Sequence, residues 1–250
     1  MIKIENVEVV GWEHAIRGMR NPKNSWDRGD SKRCIEIACC EACPLFMDDD
    51  CSDNENDYIL GLNDQDLAMR LANGGPVHAK YRRMIVVYLD IVAPLYWWKE
   101  FDTYKVGTVA NSCSTMHKIH DKEFTLDDFS YEHLDVRSRV ILGTLIETLN
   151  KYRDLFINYN ADDYEIKGCP DQKTYWWQMI QLLPSSYNQR RTVMLNYEVL
   201  VGIYKWRKNH KLDEWREFCK WIESLPYSEL ITGKREGEEG GKIDETHSCT

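Results

Sequence analysis

The chain has 250 residues, 43% hydrophobic and 29% charged, a composition that sets disorder aside and allows one large domain or two small ones. Its net charge is -9 without a lysine- or arginine-rich stripe, which argues against DNA or RNA as a partner. No run approaches the roughly 18 apolar residues that cross a bilayer, and the opening "MIKIENVEVVGWEH" lacks the apolar core of a signal peptide, so no membrane partner and a cytoplasmic location are expected.

In chain order, "IKIENVEVVGW" alternates and predicts a first strand. "AIRGMRNPKNSWDRGDSKR" is polar, with Asn-Pro and Arg-Gly-Asp turn chemistry, and reads as a loop. A cysteine-rich stretch follows at about 34–51. Asn63 is placed to cap a short helix over "DQDLAMRLAN", closed by Gly74-Gly75-Pro76. "RRMIVVYLDIVAP" is a β-branched run that predicts a strand buried on both faces or nearly so. Ala93 to His117 reads as the end of that strand running into a loop, with Trp97 and Trp98 better explained by packing than by ring stacking on a ligand. Ile141, Leu145, Leu149, Tyr152, Phe156 and Tyr159 recur at helical spacing and predict a helix over 138–160. "TYWWQMIQLLP", "RTVMLNYEVLVGIYKWRKNH" and "LDEWREFCKWIESLP" predict three more helices, the first and last stopped by proline. Residues 231–250 are glycine-rich and charged and read as a disordered tail. The sum is a single α/β (α+β) domain over 1–230.

Few motifs carry chemistry by themselves. Cys34, Cys39, Cys40, Cys43 and Cys51 include one Cys-x2-Cys pair. A structural zinc ordinarily takes two such pairs, so free thiols in a loop are favoured over a metal or redox centre, and no metal ligand is assigned. Cys113 with His117 four residues on could form a thiolate–imidazole nucleophile; a small buried cysteine is the commoner case. Arg207 ends an apolar helix, where an arginine usually faces solvent against the helix dipole, yet its guanidinium also matches a phosphate. Arg190 and Arg191 pose the same choice. Ser114, inside Asn-Ser-x-Ser-Thr, serves equally for a turn or for a ligand. No phosphate loop, dinucleotide fingerprint, HExxH or GxSxG occurs.

Together the pieces resemble the flavin-dependent thymidylate synthases. The order is Gly-x-x-His, a buried strand, Ala-Pro, a Gln or Glu, a basic triplet, Asn-x-x-Ser, and later Leu-Pro and a helix with an Asn and a closing Arg. Thr103-Tyr104-Lys105 stands at the family's Arg-His-Arg, with Thr108 at its following Ser. After one inserted residue, Asn111 and Ser114 match Asn-Glu-x-Ser-x-Arg, while Ser112 and Met116 replace its Glu and Arg. Glu100 stands for a Gln. Leu183-Pro184, Arg190, Asn196 and Arg207 match without gaps; Ile180 and Glu198 replace two arginines, and Leu212-Asp213-Glu214-Trp215 replaces Ala-Gln-x-Glu. The likeness spans about 61–225.

The resemblance implies a central, mostly antiparallel sheet packed with long helices, and a homotetramer. It implies transfer of a one-carbon unit from methylenetetrahydrofolate to dUMP, making dTMP, with FAD as cofactor and NADPH as reductant. It implies dUMP contacts from Glu100, Ser112, Ser114, Arg190 and Arg207. FAD contacts would come from His78, Arg83, Thr103, Tyr104, Lys105, Asn111 and Asn196. No residue is assigned as catalytic, because the flavin does the chemistry. The other pyrimidine nucleotides, and a hydroxymethyl product, stay open. The loss of the triplet's charges gives a second expectation: a member that binds a nucleotide or partner without flavin chemistry.

Overall fold

The computed structural model describes residues 2–33, 58–160 and 170–233. The five cysteines between 34 and 51, and residues 234–250 of the expected tail, lie outside them. Strand β1 (Lys3–Val10) is followed by α1 (Trp12–Arg20), a short hairpin β2 (Lys32–Arg33) with β3 (Tyr58–Ile59), α2 (Leu62–Asn73), β4 (Val86–Pro94), α3 (Leu95–Phe101) and β5 (Val109–Ser112). Then come α4 (Val136–Ile157), α5 (Gln172–Leu182), β6 (Asn188–Asn196), α6 (Tyr197–Arg207), α7 (Asp213–Glu223) and α8 (Glu229–Thr232). The main sheet runs in the order β1-β4-β6-β5, and β5 pairs antiparallel with β6 in the register Val109 to Met194 and Ser112 to Arg191. The mixed sheet-and-helix architecture is the expected one. No helix among the described residues is long and apolar enough to cross a membrane.

The elements pack as two compact units, each gathered from separate stretches of chain. Residues 1–8, 88–195 and 210–218 form one; residues 9–87, 196–209 and 219–250 form the other.

The first unit holds most of the main sheet. Its longest helix, α4, starts where Asp135 accepts the Ser138 amide at 2.7 Å, satisfying an amide that the first turn leaves without a helical partner. Leu142 and Leu149 pack with Ile119, Phe124, Phe129 and Met179 of α5. The buried stripe therefore begins at Leu142, and Ile141, expected on it, is 64% exposed. A second core is aromatic: Trp97, Trp98 and Phe101 from α3 pack against Trp215 and Phe218, with ring centroids 4.7 to 6.4 Å apart. Both adjacent tryptophans are fully buried, as packing residues should be. Helix α3 itself was not expected; Pro94 ends the strand and, with its fixed φ, opens the helix. Strand β4 alternates buried Val87, Leu89, Ile91 with the more open Tyr88, Asp90, Val92, so it is buried on one face rather than both.

The second unit corrects two further expectations. The polar stretch after β1 contains α1, because Trp12, Ala15, Ile16 and Met19 fall at helical spacing and are all buried. Gly11 enters that helix at φ 92°, and a Cβ there would sit 2.1 Å from the Met84 carbonyl oxygen, so only glycine fits. The helix expected over 191–210 is a strand up to Asn196 and a helix after it. Pairing with β5 sets the strand, along which Gln189, Val193 and Leu195 turn inward. The Asn196 side chain then accepts the Val199 amide at 3.1 Å and starts α6. Trp12 packs with Tyr58, Tyr197 and Tyr227 at 5.2 to 6.3 Å.

Behind these rings lies a buried ion pair. Arg20 Nε donates to Asp64 Oδ1 at 2.5 Å, with the two residues 5% and 0% exposed. The other carboxylate oxygen of Asp64 accepts the Asp30 and Ser31 amides at 3.0 Å and the Ser31 hydroxyl at 2.6 Å. Burial works to raise the Asp64 pKa, but the hydrogen bonds from Ser31 and Arg20 outweigh it and hold it below the usual carboxylate range. The cap of α2 is Gly61, not Asn63, and the Asp30 carboxylate accepts the Asn63 and Asp64 amides at 2.9 and 3.0 Å. Asp64→Ala strands a buried guanidinium and should cost about 3–5 kcal/mol. Urea unfolding of the purified variant measures it, and a loss near zero would mean that the pair is not needed for the fold.

Candidate functional site

Glu100, Thr103, Tyr104, Lys105, Asn111, Ser112, Ser114 and Arg190 belong to the first unit; His78, Arg83, Asn196 and Arg207 belong to the second. Each set is best described by itself.

In the first unit the strand pairing brings one group together. Asn111 and Ser112 on β5 lie opposite Thr192 and Arg191, and the Cys113 amide donates to the Arg190 carbonyl at 2.9 Å. The stretch expected as a loop is therefore a sheet edge followed by a turn. Ser114 builds that turn, its hydroxyl accepting the Met116 and His117 amides at 3.2 and 2.9 Å, which leaves its hydrogen to donate. Cys113 is exposed, and no hydrogen bond joins it to His117 among the described residues. The other described cysteine, Cys219, is buried, and burial pushes its thiol up to about 12, so it is not a nucleophile near neutral pH.

The Arg190 guanidinium is already matched. It donates to Glu5 at 2.8 Å and to Asp90 at 3.5 Å, and Asp90 also accepts from Thr192 at 2.6 Å and Asn6 at 2.9 Å. Arg191 donates to Asp102 at 2.7 Å and lies over the Trp98 ring at 4.2 Å. Neither set of partners was anticipated. The available signal was Asp90 itself, a lone carboxylate inside the run "VVYLDIVAP" at the parity of the open face.

A second group forms around α3. The Glu100 carboxylate accepts the Trp215 indole N–H at 3.0 Å, with His210 Nε2 at 3.5 Å. The Thr103 hydroxyl donates to the Glu100 carbonyl at 2.7 Å, and Tyr104 meets Trp215 edge-on with ring centroids 6.0 Å apart. Lys105 is exposed and has no partner among the described residues. Close by in sequence, the buried Thr108 hydroxyl finds none either.

In the second unit, His78 and Arg83 bracket a 3-10 turn over Ala79–Arg83, both exposed and without a partner among the described residues. Asn196 and Arg207 sit at opposite ends of α6, roughly 16 Å apart at 1.5 Å per residue. Glu198, which stands where the resemblance has an arginine, instead pairs with the buried Arg82 at 2.8 Å. Among the described residues no group of His, Cys, Asp and Glu could hold a metal ion.

No protein-family model and no curated protein matches the sequence. Solved structures do. A structure of thymidylate synthase X (ThyX) from Helicobacter pylori with FAD and dUMP is similar over 93% of this chain and 98% of its own, with TM-score 0.58 and 14% identity. A second structure of the flavin-dependent thymidylate synthase ThyX from the same organism, complexed with FAD and dUMP, is similar over 92% and 98%, with TM-score 0.57 and 14% identity. The chain has the flavin-dependent thymidylate synthase fold. In this chain Arg190 is flanked by the carboxylates of Glu5 and Asp90.

That ring of carboxylates has an acid signature. The Glu5 pKa is held below its usual range by a hydrogen bond from Lys3, burial opposing it and Arg190 adding to the fall; Asp90 is held down by Thr192, Asn6 and Arg190. Groups depressed in this way contribute stability above their unfolded values, near about 4, and lose it as pH falls through the lower folded values. Between pH 6 and pH 3 the melting temperature should fall further for the native protein than for Glu5→Gln/Asp90→Asn. Parallel melting curves would show that the ring contributes nothing.

Proposed function

We propose that the chain binds a flavin and transfers a one-carbon unit from methylenetetrahydrofolate to dUMP, giving dTMP, with NADPH as reductant and a homotetramer as the working assembly. The observation that carries this reading is the fold likeness across 93% of the chain to an enzyme solved with FAD and dUMP.

The residues present fit a flavin. Lys105 in the first unit, and Arg83 and His78 in the second, are exposed donors without a partner among the described residues, the kind of side chain that meets a diphosphate. The Thr108 hydroxyl is a buried donor lacking an acceptor among the described residues. Asn111 would offer its amide, while Asn196 has its oxygen committed to α6 and keeps its NH2 to donate. When bound, the flavin would supply the methylene and hydride chemistry. The chain supplies placement: in the first unit the Ser114 hydroxyl would meet the nucleotide and Glu100, its carboxylate fixed by Trp215, the base; in the second unit Arg207 is the residue that the resemblance gives to the nucleotide. Arg190 spends Nη2 on Glu5 and Nη1 on Asp90 but, 43% exposed and with further N–H donors, can still meet a phosphate, the role that the resemblance gives to it and to Arg207.

A second reading is a scaffold that binds a nucleotide or a partner without flavin. It is favoured by the triplet, where Thr103 is spent on the Glu100 carbonyl and Tyr104 on Trp215, leaving Lys105 as its single cation. The visible spectrum after FAD addition and desalting separates the two. Flavin bands retained near stoichiometry, bleached by NADPH and weakened about tenfold or more in affinity by Lys105→Ala/Arg83→Ala, would support the enzyme; each charged hydrogen bond lost is worth about 1.5–3 kcal/mol. A colourless protein stabilised by dUMP would replace it with the scaffold.

A further inference from the structure

We propose that the second unit carries a separate binding cleft for a phosphorylated small molecule of the nucleoside phosphate class, built from residues outside every position that the resemblance assigns. The cleft lies between the end of α1, the two 3-10 turns Asn21–Lys23 and Trp26–Arg28, and the first half of α2, and encloses about 580 Å³. Small-molecule sites run from roughly 300 to 1,000 Å³.

Its charge runs against that of the chain. Arg20, Lys23, Arg28 and Arg70 line it against Asp27 and Asp66, with Asp64 balancing Arg20 from behind, four positive charges less three negative giving +1, in a protein of net charge -9. Arg70 and Asp66 face each other at 3.1 Å and cancel. What remains is a graded set. Arg20 is nine-tenths buried and fixed from behind, Nε on Asp64 at 2.5 Å and Nη1 on the Ser25 carbonyl at 3.2 Å, with Nη2 left over among the described residues. Lys23 and Arg28 are exposed and have no partner among the described residues. A guanidinium already immobilised loses little freedom on meeting an oxyanion, and two mobile cations beside it complete a phosphate's coordination.

The rest of the lining narrows the ligand. Asn24 and Asn63 present amides, and Asp27, without a partner among the described residues, accepts from hydroxyl or amino groups. A bare anion has no use for that carboxylate, whereas a sugar or a base has donors to give it. The α2 amino terminus does not account for the site, since the Asn63 and Asp64 amides are taken by Asp30.

The test is a calorimetric titration of ADP, with adenosine as the uncharged comparison, at about 0.15 M salt, where surface attraction is screened beyond about 8 Å. The native chain should bind ADP and not adenosine. Lys23→Gln/Arg28→Gln, at two exposed positions whose loss leaves the Arg20–Asp64 pair intact, should weaken ADP tenfold or more. Asp27→Ala, which removes the acceptor offered to the sugar or base, should weaken ADP severalfold. Lys105→Ala/Arg83→Ala should leave ADP affinity unchanged, which separates this cleft from the flavin proposal. Absence of ADP binding, adenosine binding equally well, or unchanged ADP affinity in Lys23→Gln/Arg28→Gln would each overturn the assignment. A melting curve of each variant in buffer checks that it is folded.

Discussion

Burying a charge is costly unless its counter-charge is buried with it, and Arg20 and Asp64 meet that condition across 44 positions of sequence. A pair of this kind adds little net stability over a well-packed apolar substitute, but losing one partner is severe. What it adds here is position. Asp64 fixes the Ser31 hydroxyl and two backbone amides, Asp30 in turn holds the start of α2, and a Cβ on Gly61 would collide with the Asp30 carboxyl at 2.2 Å. Four residues thereby lock α1, the 30–31 strand entry and α2 into one arrangement, and the same guanidinium forms the fixed wall of the cationic cleft.

The first unit handles charge in the opposite way. Its arginines are matched at the surface, Arg190 by Glu5 and Asp90 and Arg191 by Asp102 and the face of Trp98. Exposed pairs are screened and individually weak, so this arrangement tunes where a phosphate can land more than it holds the unit together. Cohesion comes from the indole and phenyl rings of Trp97, Trp98, Phe101, Trp215 and Phe218. A fold shared with ThyX does not by itself give this charge pattern a function.

Much of this was readable from residue order. The spacing around Ala93-Pro94, Asn111, Ser114, Leu183-Pro184 and Arg207 led to the right fold, and helical periodicity placed α4, α5 and α7 to within a few residues. The failures share a cause. Helix α1 carries arginines and a glycine among its four apolar positions, and the Asn-Pro after it sounded like a loop; burial of Trp12 and Met19 against distant residues decided otherwise. The 191–210 run is apolar enough for a helix throughout, and the strand within it is set by pairing with β5, which no local pattern reports. In the same way Glu5, Asp90 and Thr192 were invisible as a site because three different strands bring them together. The tryptophan pair was read correctly because burial of large rings is the commonest outcome for them.

Each unit is assembled from three stretches of chain, and in both cases the last stretch comes after residue 209. On the ribosome, where domains ordinarily close one after another from the amino terminus, neither unit here can be completed by an early segment. The strands β1 and β4 emerge with their apolar faces waiting for β6, and the rings of α3 wait for Trp215. Both units thus stay incomplete until segments beyond residue 209 have emerged, and a chain cut before that point yields neither of them whole.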